Sequence, residues 1–128
     1  MIDTALGRIL LIEDDAAVAA GLEALLESVG AEVHVCDAGL LAEAAVRSFE
    51  PDLVLIDIGL PDLDGREVAR RVAAIRPGLP LILMSGHLRM FSDHQHPALG
   101  FLTKPFALED LLELVRSLKK GEGNVNGR

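Results

Sequence analysis

Apolar runs of strand length alternate with apolar stripes at helical spacing along this chain of 128 residues. The alternation predicts five strands, each followed by a helix, because side chains alternate faces in a strand and return to one face every 3.6 residues in a helix. The predicted strands are residues 8–12, 32–36, 52–57, 79–85 and 100–103. The first, third and fourth are apolar almost throughout, as in parallel strands covered on both faces. The pattern therefore predicts a doubly wound α/β fold around a five-stranded parallel sheet.

Several of the predicted helices carry recognisable end signals. The first is expected to begin after Asp15 and to end at Gly30, and the third to begin after Gly65 and to end before Pro77. The apolar face expected of the first helix consists of Val18, Leu22, Leu25 and Val29. The segment between the last two strands allows at most about two turns of helix, over residues 88–95.

The length suits one domain, which we expect over residues 1–120, and the polar, glycine-rich residues 121–128 predict a disordered tail. No apolar run approaches the roughly 18 to 20 residues that a membrane-spanning helix needs. The first residues do not resemble a signal peptide, so we expect a cytoplasmic location. Cys36 cannot form an internal disulfide because the sequence contains one cysteine, and it is predicted to be a small core or edge residue.

The formal charge of −8, from 20 acidic and 12 basic residues, restricts the class of partner. A field of this sign repels phosphate backbones and attracts cations. We therefore expect proteins and metal ions as partners, and neither nucleic acid nor a membrane.

Polar side chains follow four of the five predicted strands. They are Glu13, Asp14 and Asp15 after the first strand, Asp57 at the end of the third, Ser85 at the end of the fourth and Lys104 after the fifth. The carboxyl ends of parallel strands meet at one edge of the sheet, where ligands collect in such folds. Carboxylates held close together repel unless a cation joins them or a proton is held. Oxygen ligands favour Mg2+, with Mn2+ as an alternative ion, and argue against zinc.

Asp57 has a second chemical option, nucleophilic attack on a phosphoryl group to form an acyl phosphate. Lys104 would then offer a positive charge and Ser85 a hydroxyl donor to the phosphoryl oxygens. Simpler interpretations remain open at this point. Glu13 and Asp15 could be helix caps, and Asp57 could belong to the turn that precedes Gly59.

Four motifs together resemble the receiver domain of two-component response regulators, over about residues 8–119. They are IEDD at 12–15, LIDIGLPDLDG at 55–65, MSG at 84–86 and FLTKPF at 101–106. The resemblance implies a flavodoxin-like (βα)5 fold with strand order 2-1-3-4-5. It also implies that Asp57 accepts a phosphoryl group from a sensor histidine kinase or a histidine phosphotransfer protein.

The resemblance assigns the metal ligands as well. Asp14, Asp57 and the backbone carbonyl of Gly59 would bind Mg2+, and Asp15 would help directly or through water. Glu13 matches a position that is usually acidic in the family but is not always a ligand.

The remaining roles concern the phosphoryl group and the response to it. Ser85 and Lys104 would contact the phosphoryl group, and the Lys104–Pro105 peptide bond would be cis. Ser85 and Phe101 would form a switch in which the aromatic ring swings inward when the hydroxyl moves. The output would be contact with a downstream protein or relay to a phosphotransfer partner, and the sequence leaves open whether the chain is part of a longer regulator or hybrid kinase.

The main rival is a Mg2+-dependent phosphohydrolase that uses an aspartyl nucleophile. Such enzymes carry an acid/base aspartate two residues after the nucleophile, where this chain has Gly59. We therefore expect at most slow autodephosphorylation rather than enzymatic turnover. A mononucleotide-binding protein of the same topology would need a phosphate loop after the first strand, where the acidic residues 13–15 would repel a phosphate.

Overall fold

The computed structural model describes residues 6–86 and 100–121, with side chains described as far as Ser117. Five parallel strands form one sheet in the order β2-β1-β3-β4-β5, which confirms the predicted topology. The strands are β1 (Arg8–Ile12), β2 (Glu32–Cys36), β3 (Leu53–Asp57), β4 (Leu81–Ser85) and β5 (Gly100–Thr103).

Four α-helices are described. They are α1 (Ala16–Glu27), α2 (Ala42–Phe49), α3 (Gly65–Ile75) and α4 (Leu108–Gly121), and a 3-10 helix (Gly39–Leu41) leads directly into α2. The helix predicted over residues 88–95 and residues 122–128 of the predicted tail lie outside the described residues. Among the described helices, none combines the length and apolar character required to cross a membrane.

The sheet separates two apolar cores, because successive side chains of each strand point to opposite faces. On one face Leu10, Ile56 and Leu83 pack against residues of α2 and α3. On the other face Leu55 and Met84 pack against residues of α1 and α4. This arrangement explains why β3 and β4 are buried along their whole length. The central strands are held rigidly, and so are the side chains at their carboxyl ends.

The face that α1 turns to the sheet is only partly the one predicted, since Leu22 and Val29 pack against the core as expected. Ala19 and Leu26 are its fully buried residues, whereas Val18 and Leu25 are 36% and 37% exposed. The prediction was wrong for these two because α1 is apolar on most of its circumference, AAVAAGLEALLE, so its periodicity does not select one face. Val18 therefore lies on the surface of the molecule near the carboxyl edge of the sheet.

Candidate functional site

Asp57 is the last residue of β3 and only 6% of its surface is exposed. The backbone after it turns sharply, and the N–H of Gly65 donates to the carbonyl of Ile58 at 2.9 Å. Gly65 packs directly on the backbone of Asp57 and Ile58, where a Cβ would come within 2.7 Å of the Ile58 Cα. Only glycine fits this close approach, so the residue that begins α3 helps to fix the end of β3.

Lys104 joins Asp57 to Glu13 across the edge of the sheet. Its Nζ lies 2.8 Å from Oδ1 of Asp57 and 2.9 Å from Oε1 of Glu13. The side chains of these carboxylates are 9% and 1% exposed, and that of Lys104 is 23% exposed. Burial lowers the pKa of Lys104, but hydrogen bonds to Asp57 and Glu13 outweigh this effect and raise its pKa above the ordinary value. Lys104 is therefore a permanent cation between two buried carboxylates.

The backbone around Lys104 aims the side chain at the site. Its N–H donates to the carbonyl of Ser85 at 2.8 Å, which continues the pairing of β5 with β4. The Lys104–Pro105 peptide bond is cis, as the resemblance implies.

Three carboxylates, from Glu13, Asp14 and Asp57, lie close enough together to hold a metal ion. One oxygen of each lies within 4.8 Å of the others. Oxygens that bind Mg2+ at about 2.0 to 2.1 Å can be no more than about 4.2 Å apart. The cluster thus suits a small divalent ion if one carboxylate is reached through water or rotates slightly. The exposure of Asp14 leaves the ion an entry route.

The structure gives Asp15 a different partner. Its carboxylate accepts a hydrogen bond from the N–H of Val18 at 3.0 Å and caps α1. Glu13 instead points inward, since its side chain is 1% exposed and contacts Lys104. Of the two residues for which a capping role was left open, Asp15 is the cap, and Glu13 is the one in the acidic cluster.

Gly59 lies beside Asp57. A Cβ built on it would be 3.8 Å from Oδ2 of Asp57.

Ser85 and Phe101 lie on neighbouring strands. Ser85 is buried at the end of β4, one residue beyond Met84, which pairs with Asp57. Phe101 lies on β5, an edge strand, and is 40% exposed. The ring is therefore on the surface rather than in the core.

An apolar cavity of about 310 Å³ lies beside the acidic cluster and is lined by Val18, Leu22, Lys104, Pro105 and Phe106. The exposed position of Val18 on α1 contributes to it. An apolar surface thus borders the charged site.

Comparisons with known proteins agree with this geometry. The family model described as response regulator receiver domain matches residues 9–116. The chain belongs to the response regulator receiver domain family. A curated relative, the cell cycle transcriptional regulator CtrA of Caulobacter vibrioides, is 31% identical over 122 residues, which cover 92% of this chain and 53% of CtrA. The chain thus spans about half the length of the curated relatives that it matches.

Solved receiver domains have the same fold. A CheY-like receiver domain protein from Methanospirillum hungatei is 31% identical with a TM-score of 0.80, over 92% of this chain and 98% of that one. The response regulator TrrA from Thermotoga maritima, solved in complex with Mg2+-BeF, is 28% identical with a TM-score of 0.82, over 88% and 98% of the two chains. This receiver domain is a signalling module with an acidic site consistent with phosphate acceptance in two-component systems.

Two features of the site could not be found from sequence alone. The contact between Lys104 and Glu13 joins residues 91 positions apart. Glu13 is one of three consecutive acidic residues, and the only sequence signal that separates it from Asp15 is its place directly after the apolar run of β1.

Proposed function

We propose that Asp57 is the phosphoacceptor of a two-component phosphorelay and that it reacts in the presence of Mg2+. The observation that carries the proposal is the bridge from Lys104 to Asp57 and Glu13, at the edge of the three-carboxylate cluster. A buried aspartate paired with a lysine is an ordinary ion pair. A nucleophile beside both a lysine and a divalent-ion site is equipped for phosphoryl transfer.

In the reaction, an oxygen of Asp57 forms a bond to phosphorus while the nitrogen–phosphorus bond of a phosphohistidine breaks. The imidazole leaves with that electron pair and takes a proton from water. Mg2+, when bound, supplies positive charge for the phosphoryl oxygens. The Asp14 and Asp57 carboxylates and the Gly59 carbonyl would hold it, with Glu13, in preference to Asp15, as the further carboxylate.

Lys104 and Ser85 would respond to the new charge. Phosphorylation adds roughly 1.5 to 2 negative charges. Lys104 already contacts Asp57 and can follow the charge to a phosphoryl oxygen. Ser85, at the end of the adjacent strand, would donate its hydroxyl to another phosphoryl oxygen. Movement of Ser85 would make room for the ring of Phe101, which is 40% exposed, to swing inward. The domain is then a two-state element biased by a local change of charge.

The phosphodonor is a protein, either a sensor histidine kinase or a histidine phosphotransfer protein. Val18, Leu22 and Phe106 form an apolar surface next to Lys104. A partner that docks on this apolar surface can bring its phosphohistidine to Asp57 while the carboxylate cluster stays open to water. Specificity for one donor would come from this surface, since the acidic cluster itself has no feature that distinguishes donors.

Acceptance, rather than turnover, is the activity expected. Gly59 has no side chain to act as general base two residues after Asp57. Water therefore attacks the acyl phosphate without an acid/base residue at that position, and autodephosphorylation is slow. Residues 1–120 act as the receiver domain, and its output is contact with a downstream protein or onward relay.

The test is incubation with a small phosphodonor, such as acetyl phosphate, with and without Mg2+, followed by intact-mass measurement. One added phosphoryl group is expected, only with Mg2+, and none in Asp57→Asn. Asp37→Asn, a change at an exposed aspartate after β2, is the matched control and should be phosphorylated normally. An adduct that survives Asp57→Asn would contradict the assignment. Rapid, repeated release of phosphate from a monoester would favour the phosphohydrolase.

A further inference from the structure

Asp62 lies in the loop that follows Asp57 and makes two hydrogen bonds to the backbone of a distant segment. Its two carboxylate oxygens accept hydrogen bonds from consecutive backbone N–H groups, those of Gly39 at 3.0 Å and Leu40 at 2.8 Å. These hydrogen bonds hold the pKa of Asp62 below its usual value, so the carboxylate is ionised at neutral pH. Although it is exposed, Asp62 thus binds the backbone of one segment, residues 39–40.

That partner segment lacks a cap of its own. The 3-10 helix Gly39–Leu41 runs into α2, and neither Ala38 before it nor Leu41 before α2 supplies a side-chain cap. The first N–H groups of a helix need acceptors. Asp62 provides them from 22 and 23 residues further along the chain.

Gly39 also packs closely against the loop that contains Asp62 and against α3. A Cβ on Gly39 would come within 2.8 Å of a Val68 methyl group, 3.2 Å of the Leu63 Cβ and 3.3 Å of a Leu60 methyl group. The glycine therefore lets the helical turn sit directly on the loop. The loop is closed at its base by the Gly65 to Ile58 hydrogen bond and held at its tip by Asp62.

We propose that Asp62 is a positioning residue for the metal site. It fastens the loop of residues 58–64 to the helical segment behind β2 and thereby holds Gly59 beside Asp57. This role rests on the proposed function, because it presumes that Gly59 binds the ion. Without the tether, the loop must become ordered when the ion binds, and that loss of entropy weakens binding.

The experiment is an NMR titration of the 15N-labelled protein with Mg2+, alongside thermal denaturation. Asp62→Ala is expected to weaken Mg2+ binding about tenfold, the low end of the effect seen when outer partners of metal ligands are removed. Asp62→Asn keeps one acceptor oxygen and should give an intermediate affinity. Amide exchange in residues 58–64 should rise in both variants.

Asp52→Ala is the matched control. Asp52 is also exposed and also accepts a backbone hydrogen bond from a distant residue, the N–H of Arg8 at 2.8 Å, but at the opposite end of the sheet. It should lower the melting temperature and leave Mg2+ affinity within twofold of wild type.

Wild-type affinity in a folded Asp62→Ala would overturn the positioning role and leave the proposed function standing. If that variant does not fold, wild-type affinity in Asp62→Asn would overturn it. Failure of the wild-type protein itself to bind Mg2+ would instead contradict the proposed function.

Discussion

Lys104→Met removes the ammonium group that bonds both Asp57 and Glu13 while preserving most of the side-chain volume. Two carboxylates, 9% and 1% exposed, then face each other without that cation. Removing one partner of a buried ion pair costs roughly 3 to 5 kcal/mol. Because the Lys104 side chain is 23% exposed and partly screened by water, we expect the free energy of unfolding to fall by about 2 to 3 kcal/mol.

The assay is thermal denaturation followed by circular dichroism, with and without Mg2+. For a domain of this size, the loss corresponds to a decrease in melting temperature of roughly 6 to 15 °C. Mg2+ should restore more stability to Lys104→Met than it adds to wild type, because the ion replaces a missing cation and no longer meets a neighbouring positive charge. Lys104→Arg keeps the charge and is expected to lie close to wild type.

An apo Lys104→Met protein as stable as wild type would refute the claim that Lys104 neutralises two buried carboxylates. Equal stabilisation of both proteins by Mg2+ would refute the claim that the lysine and the ion share these ligands.

Further predictions concern Gly65, the acidic residues 13–15 and Asp64, the N-cap of α3. Gly65→Ala is expected to lower the free energy of unfolding by about 2 to 3 kcal/mol in denaturant unfolding, because the added Cβ would meet the backbone of β3 and the residue after it. Gly21→Ala is the control: a Cβ there has no neighbouring atom within 4 Å, so the substitution should raise the free energy of unfolding by about 0.5 to 1 kcal/mol. Glu13→Gln should weaken Mg2+ binding more than Asp15→Asn in a calorimetric titration, because asparagine can still cap α1; the reverse order would restore Asp15 as the ligand. The pKa of Asp64 is lowered, chiefly by the side-chain hydrogen bond that it accepts from Arg66. The stability that Asp64 contributes is therefore complete above pH 3.8, the pKa in the unfolded chain, and is lost as the pH falls through the lower pKa of the folded protein. Asp64→Asn should therefore be less stable than wild type at pH 7 by about 0.5 to 1 kcal/mol, with the difference vanishing in acid unfolding curves.

The strands were predictable because they are short segments that are mostly apolar or, as in EVHVC of β2, alternately apolar and polar. The predicted fourth strand began at residue 79, two residues before β4. β1, β2 and β5 begin and end where the sequence indicated. The predicted third strand began one residue early at Asp52, whose carboxylate instead accepts from the N–H of Arg8. The face of α1 was only partly predictable, since a helix rich in alanine and leucine has several apolar faces and only the sheet selects one.

The members of the candidate site were predictable as a set, because parallel strands bring their carboxyl ends together. Their individual partners were not. Glu13 and Asp15 are two residues apart and would share a face in an extended strand. The structure separates them because β1 has ended and Asp15 already caps α1. The hydrogen bonds from Gly39 and Leu40 to Asp62 join a 3-10 helix to a loop through backbone N–H groups, which leave no mark in the sequence.

The most direct test of the central claim locates the phosphoryl group within the chain. The protein is phosphorylated with acetyl phosphate and Mg2+, treated with borohydride to convert an aspartyl phosphate into homoserine, and digested for peptide mass spectrometry. We predict homoserine at position 57 and at no other aspartate. Conversion at another aspartate with residue 57 unchanged, or a phosphoryl group that resists borohydride, would contradict the account.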